Sequence, residues 1–106
     1  MEFDKKKAMD EMGEDEESYN ELLRIFCPDA EIELKKLEEA LKADNFDEIV
    51  RIGHTLKGLA ANFYVTPVQV IAKNIEHLAR VRRDKQAIVG NLQILKEGMA
   101  ELRRQI

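Results

Sequence analysis

The feature that most constrains the fold is the recurrence of apolar or small residues in alternating steps of three and four. Steps of this kind place a set of residues on one face of an α-helix. Four successive segments show the pattern, and short connections between helices favour antiparallel neighbours. The sequence therefore predicts an all-α fold, an antiparallel up-down four-helix bundle. The four sets are Leu23, Phe26, Ala30, Leu34, Leu37 and Leu41; Phe46, Ile49, Gly53, Leu56, Ala60 and Phe63; Val68, Ile71, Ile75 and Leu78; and Ile88, Leu92, Leu95, Met99, Leu102 and Ile106.

A short extra helix is expected before the bundle. An acidic run from Asp10 to Glu17 is broken at Gly13, which separates a helix of about Asp4 to Met12 from the first long one. Residues 1–13 are thus interpreted as a short N-terminal helix with its acidic connection, and residues 14–106 as the bundle. Pro28 falls inside the first apolar set without shifting its phase, which indicates a kink or a brief interruption.

Capping signals mark the starts of the later helices. Asn45, with Glu48 three residues on, resembles a capping box. Thr66 is expected to cap the third long helix with Pro67 at its first position. That helix should end near Arg83, and Asp84 can cap the last one.

Composition narrows the functional classes. Of the 106 residues 44% are hydrophobic and only 6% aromatic, a balance typical of a helical bundle. The net charge of −4 comes from interspersed charges, which makes nucleic acid a poor partner. Cys27 is the single cysteine, so an intramolecular disulfide is impossible and a reducing cytoplasm is expected. No apolar run long enough to span a bilayer is present, and we expect no direct membrane contact.

The second apolar set fixes the direction in which a histidine points. At about 100° per residue, His54 lies roughly 150° from the buried direction of its helix. Gly58 and Ala61 share this outer face, and Lys57 stands at its edge. Gly53 is on the buried set, where a close helix approach explains it, whereas Gly58 packs against nothing on an exposed face.

An exposed imidazole beside a lysine suits the carrying of a phosphoryl group. A neutral imidazole can act as a nucleophile at cellular pH. Lys57 would supply positive charge to the phosphoryl oxygens, and Gly58 would leave room for the donor or acceptor aspartate. Phosphoryl transfer needs in-line access and charge stabilisation above all.

The stretch "HTLKG", followed by small residues and Asn62, resembles the signature of histidine-containing phosphotransfer (HPt) domains of two-component phosphorelays. The resemblance extends from about Glu14 to the C-terminus. It implies that His54 carries the phosphoryl group, that Lys57 contacts the phosphate and that Gly58 keeps the site open. Members also place a glutamine or glutamate on the following helix, hydrogen-bonded to the histidine. The matching residue is Glu76, which follows buried Ile75 and so borders the core.

The resemblance also implies partners and cofactors. The partners would be a response-regulator receiver domain and a sensor or hybrid histidine kinase, with Mg²⁺ on the receiver and no cofactor bound by this chain. We expect a monomer without kinase activity of its own. Two alternatives stay open: the phosphoacceptor domain of a chemotaxis-type histidine kinase, from which the chain would be a fragment, and a non-catalytic helical adaptor that binds a receiver.

One position departs from the family pattern. Tyr64 stands where another glycine is usual. It would form part of a docking surface with Ala61 and Asn62, restrict docking to particular receivers, or mark a degenerate member. His77 is interpreted as an ordinary surface residue, and no metal site is expected because a fourth ligand in suitable spacing is missing.

Overall fold

The computed structural model describes residues 1–106, leaving aside the side chain of Arg82. It is built of helices, and the described residues contain no β-strand. No helix in this part of the chain has the combined length and apolarity needed to cross a membrane. The helices are α1 (Lys5–Met12), α2 (Glu16–Lys42), α3 (Phe46–Asn62), α4 (Thr66–His77) and α5 (Lys85–Arg104), with a π-helical segment (Leu78–Arg82) extending α4.

The four long helices enclose one hydrophobic core. Helix α2 contacts α3 and α5, and α4 contacts the same two helices from the other side. The apolar sets supply the core, although Phe46, Phe63, Ile71, Leu78 and Ile106 are only half-buried at its margin. The largest fully buried side chains are Tyr19, Phe26, Leu23, Leu37, Ile49, Leu56, Ile75, Ile88, Leu95, Leu102, Val65 and Val68.

Side-chain caps start three of the helices of the bundle. The carboxylate of Asp15 accepts a hydrogen bond from the Ser18 amide, at 2.8 Å. The expected caps at Asn45 and Asp84 are confirmed, because each accepts a hydrogen bond from the backbone amide three residues on, at 3.2 and 3.1 Å. The capping box at Asn45 is only half formed. The side chain of Glu48 pairs with Arg51 on the next turn of α3.

The start of α4 differs from the prediction. Thr66 is the first residue of the helix and makes no capping hydrogen bond, and Val65 occupies the cap position instead. The Val65 amide donates to the Ala60 carbonyl and its side chain is fully buried. The tight turn that ends α3 thus leads directly into α4. Pro67 lies in the first turn of α4, as expected.

Two further expectations concern the continuity of the helices, and of these the brief interruption at Pro28 is wrong. Helix α2 runs without interruption through Pro28, and the core face continues in phase beyond it at Ala30. The third long helix does not remain α-helical to Arg83. It changes at Leu78 into a π-helical segment, after which Arg83 takes a left-handed conformation with φ 51°.

A buried tyrosine ties α2 to the end of α3. The Tyr19 hydroxyl donates a 2.6 Å hydrogen bond to the carbonyl of Phe63. The last carbonyls of a helix have no partner within it, so this bond satisfies one of them. Burial raises the pKa of Tyr19 to about 12, which keeps the hydroxyl protonated as a donor.

We expect Tyr19→Phe to lower the free energy of unfolding by about 1–2 kcal/mol, because the Phe63 carbonyl loses its partner at a buried position. Urea denaturation monitored by circular dichroism measures the change. Tyr64→Phe is the matched control, since the Tyr64 hydroxyl makes no hydrogen bond to the described residues. The control should stay within about 0.5 kcal/mol of the parent, and equal losses in both variants would contradict the role given to Tyr19.

Candidate functional site

His54 lies in the middle of α3 and points into solvent. Its side chain is 71% exposed. The neighbouring buried residues of α3 fix this orientation, because Ile52, Gly53 and Leu56 all face the core. His54 directly follows buried Gly53, and α3 contacts α4. The imidazole therefore lies at the junction of the two helices and remains accessible.

The junction is close because of Gly53. A Cβ atom at this position would lie 3.0 Å from the Glu76 amide nitrogen and 3.1 Å from the Ala72 carbonyl oxygen of α4. Contacts this short with backbone atoms would force the helices apart. Because Gly53 has no side chain, α4 approaches α3 closely enough for Glu76 to contact His54.

Glu76 gathers three basic side chains. Its side chain is only 6% exposed, and it is the only buried charged residue among the described side chains. Its Oε2 lies 3.2 Å from His54 Nδ1 and 3.3 Å from Arg80 Nη2. Its Oε1 accepts a 2.8 Å hydrogen bond from Lys57 Nζ. One carboxylate therefore joins α3, α4 and the π-helical segment.

The carboxylate is ionised at neutral pH. Burial by itself would raise the pKa of Glu76, but the hydrogen bond and charge of Lys57, the charge of Arg80 and the hydrogen bond to His54 together lower it below its ordinary value. An ionised carboxylate can only accept hydrogen bonds, so the hydrogen at the 3.2 Å contact is assigned to His54 Nδ1. In the neutral ring Nε2 then carries the free lone pair.

Lys57 and Gly58 complete the immediate surroundings of the imidazole. The side chain of Lys57 is 29% exposed, and its ammonium group rests on Glu76. Gly58 is exposed, and a Cβ placed there would meet no atom within 4 Å. The side of the imidazole toward the next turn of α3 is accordingly open.

A family model, described as Hpt domain, matches residues 21–105. The chain belongs to the Hpt domain family. Membership implies histidine phosphotransfer in two-component systems, in which Hpt domains interact with receiver domains and kinases. Neither the curated proteins nor the solved structures gave a significant match to the sequence.

The remaining predicted residues of the Hpt site lie further along α3. Ala61 is half-buried and Asn62 is exposed on the last turn of the helix. Tyr64 follows the helix, ten residues beyond His54, which corresponds to about 15 Å along the axis. His54, Lys57 and Glu76 form one cluster, whereas Ala61, Asn62 and Tyr64 belong to the surface beyond it.

The conformation of Tyr64 explains why glycine would suit its position. Its φ is +58°, in the left-handed region. Its amide donates to the Ala61 carbonyl while the Val65 amide donates to that of Ala60. This is the Schellman arrangement, in which the left-handed residue is most often glycine. Tyr64 performs the same turn at a conformational cost of about 1–2 kcal/mol, and it leaves His54 uncovered.

The contact of Arg80 with Glu76 was not among the features predicted from the sequence. The sequence does contain a signal for this contact, because Arg80 stands four residues after Glu76 and such pairs are neighbours on a helix.

His77 is exposed and makes no hydrogen bond to the cluster within the described side chains. Among the described residues, no group of three histidine, cysteine, aspartate or glutamate side chains is placed to hold a metal ion.

Gly53→Val should destabilise the Hpt domain by about 1–3 kcal/mol, since the added atoms cannot fit against the α4 backbone. Gly58→Val is the matched control on the same helix and should stay within about 0.5 kcal/mol of the parent, because its side chain would enter open space. Urea denaturation of the two variants gives both values. A Gly53→Val protein as stable as Gly58→Val would show that the two helices are not in close contact.

The stability of the domain should depend on the charge of Glu76 in acid. The pKa of Glu76 is lower in the folded protein than its ordinary value of 4.5. The stabilisation from ionised Glu76 is therefore fully present above pH of about 4.5 and is lost as the pH falls through the folded-state pKa. Unfolding free energies measured from pH 7 downward should fall more steeply for the parent than for Glu76→Gln.

The control for this pH series is Glu97→Gln, which alters an exposed carboxylate on α5. That variant should keep the slope of the parent. If Glu76→Gln also keeps that slope, the carboxylate is not held ionised by its basic neighbours.

Proposed function

We propose that this Hpt domain is a phosphorelay phosphocarrier in which His54 accepts a phosphoryl group from a receiver-domain aspartate or a histidine kinase and passes it to a receiver-domain aspartate. The observation that carries the proposal is an exposed imidazole whose Nδ1 is held by a buried, ionised carboxylate, at 3.2 Å. This leaves Nε2 as the outward-facing nucleophile.

Transfer from an aspartyl phosphate balances simply. The Nε2 lone pair forms a bond to phosphorus as the bond between phosphorus and the aspartate oxygen breaks, and the aspartate leaves as a carboxylate with the bonding electrons. The ring becomes a phosphoimidazolium that retains its hydrogen on Nδ1. Glu76 would stabilise this positive ring, and onward transfer to another aspartate is the reverse of the same step.

Lys57 would have two positions in this cycle. In the structure its ammonium is on Glu76 Oε1, at 2.8 Å. A phosphoryl group on Nε2 brings about two negative charges one helical turn away. Its oxygens would compete with Glu76 for Lys57, while Arg80, already 3.3 Å from Oε2, would remain to balance the carboxylate.

The partner would approach over the open side of the imidazole. Gly58 has no side chain to block this approach. The proposed docking surface extends from Gly58 to the end of α3 and consists of Ala61, Asn62 and Tyr64. The Mg²⁺ ion that assists the transfer would belong to the receiver domain, and the chain itself would act without a cofactor or kinase activity. We place this exchange in the cytoplasm, with which a free, buried Cys27 is compatible.

The proposal includes the helix directions and the division of the chain. Ion pairs between α2 and α5 join Glu38 to Lys96 and Glu31 to Arg103, at 2.5 and 2.8 Å. The later residue of α2 pairs with the earlier residue of α5, which is the pattern expected for antiparallel helices. With its short connections the bundle would run up and down over residues 14–106, with residues 1–13 as an appended helix.

The test is incubation with a phosphorylated receiver domain, followed by assay for acid-labile, base-stable label. The parent protein should become labelled and His54→Gln should not. His77→Gln is the matched control, because it removes the other histidine of the chain and should leave labelling unchanged. Label on the His54→Gln protein would refute the assignment, and binding of the receiver without any labelling would favour the adaptor.

A further inference from the structure

The outward side of α2 carries an apolar stripe that the fold does not use. Ile25, Pro28 and Ile32 are spaced by three and four residues and so share one face of the helix. Ile25 is 57% exposed and Ile32 is 54% exposed. The core face of α2 lies on the opposite side. More than half of each isoleucine side chain is therefore open to solvent.

The stripe borders a groove between α2 and α5. The groove has a volume of about 550 Å³, and its apolar lining includes Pro28, Ile32, Met99 and Ala100. The charged residues along it are largely paired across the two helices in the ion pairs of Glu31 and Glu38. An occupant of this surface must accordingly offer apolar side chains at its centre.

The charges that flank the stripe match a reversed copy of the same helix. Ile25 and Ile32 are equally distant from the point between Pro28 and Asp29, and so are Glu21 and Lys36. On the outer face acidic Glu21 precedes the stripe and basic Lys36 follows it. Two copies of α2 laid antiparallel about this point would place each isoleucine against the other isoleucine of the second copy, and each Glu21 near a Lys36.

We propose that the protein forms a two-fold symmetric homodimer through the outward face of α2, with the two helices antiparallel. In a two-fold symmetric interface each favourable pair of residues occurs two times. Lys36 is available for it, because its side chain is 58% exposed and, among the described side chains, pairs only with Glu33 on its own helix. The proposal replaces the expectation of a monomer and does not depend on phosphotransfer.

The proposed interface leaves the candidate site free. His54 is held at the junction of α3 and α4 by its contact with Glu76. Helices α2 and α5 form the other side of the bundle, since α2 contacts α3 and α5 while α4 contacts the same two helices. A dimer joined through α2 would therefore present two exposed His54 side chains, and one assembly could engage two receiver domains.

Sedimentation equilibrium of the full chain tests the proposal. A single-helix interface is smaller than the roughly 800 Å² per partner of a standard complex, so the dimer should dissociate in the range of about 10 μM to 1 mM. A reversible monomer–dimer equilibrium is expected. A monomer throughout that range, or an assembly larger than a dimer, would overturn it.

Charge reversal distinguishes the antiparallel arrangement from other contacts. Glu21→Lys should raise the dissociation constant about tenfold, because both Glu21–Lys36 pairs become repulsive. Lys36→Glu should act similarly, and the double variant should restore the parent value. Glu97→Lys, at an exposed position of α5, makes the same change in net charge and should leave the dissociation constant unchanged. If Glu97→Lys matches Glu21→Lys, or if the double variant fails to recover, the proposed pairing is wrong.

Discussion

The contact between α3 and α4 at Gly53 is the constraint on which the candidate site depends. A buried carboxylate is costly unless charge and hydrogen bonds compensate for the loss of water. Glu76 meets this requirement only because the two backbones approach so closely that His54 and Lys57 of α3 both reach it. The same glycine that weakens the helix intrinsically thus permits the ionic cluster. A close tertiary contact thus explains Gly53, whereas a side chain at Gly58 would meet no atom within 4 Å.

The sequence was sufficient to predict the orientation of His54. Apolar residues on several turns of α3 define its buried direction, and a single polar residue cannot change that phase. The side chain accordingly points outward. The caps at Asn45 and Asp84 were predictable for a related reason, because the capping hydrogen bond spans only three residues and depends on local geometry. These two predictions held because each depends on interactions within one helix or one turn.

Features set between helices were harder to predict. Lys57 could be placed at the edge of an exposed face, but its long side chain can reach many partners. Its contact with Glu76 depends on the spacing between α3 and α4. Thr66 failed as a cap because the preceding turn buries Val65 and starts the helix there. The π-helical segment had no sequence signal, although it carries Arg80 beside Glu76.

Under the proposed function, the net charge of the cluster explains why two cations pair with the one carboxylate of Glu76. Without His54, ionised Glu76 with Lys57 and Arg80 carries one net positive charge, which would favour the arrival of an anion. In the proposed cycle a phosphoryl group on His54 would add about two negative charges, and retention of the hydrogen on Nδ1 would make the ring positive. The sum is then zero. With a single cation the phosphorylated site would be left negative beside a buried carboxylate, and with a neutral residue at position 76 the ring would lose its counter-charge. The pairing of Glu76 with Lys57 and Arg80 is thus compatible with both states of the proposed cycle.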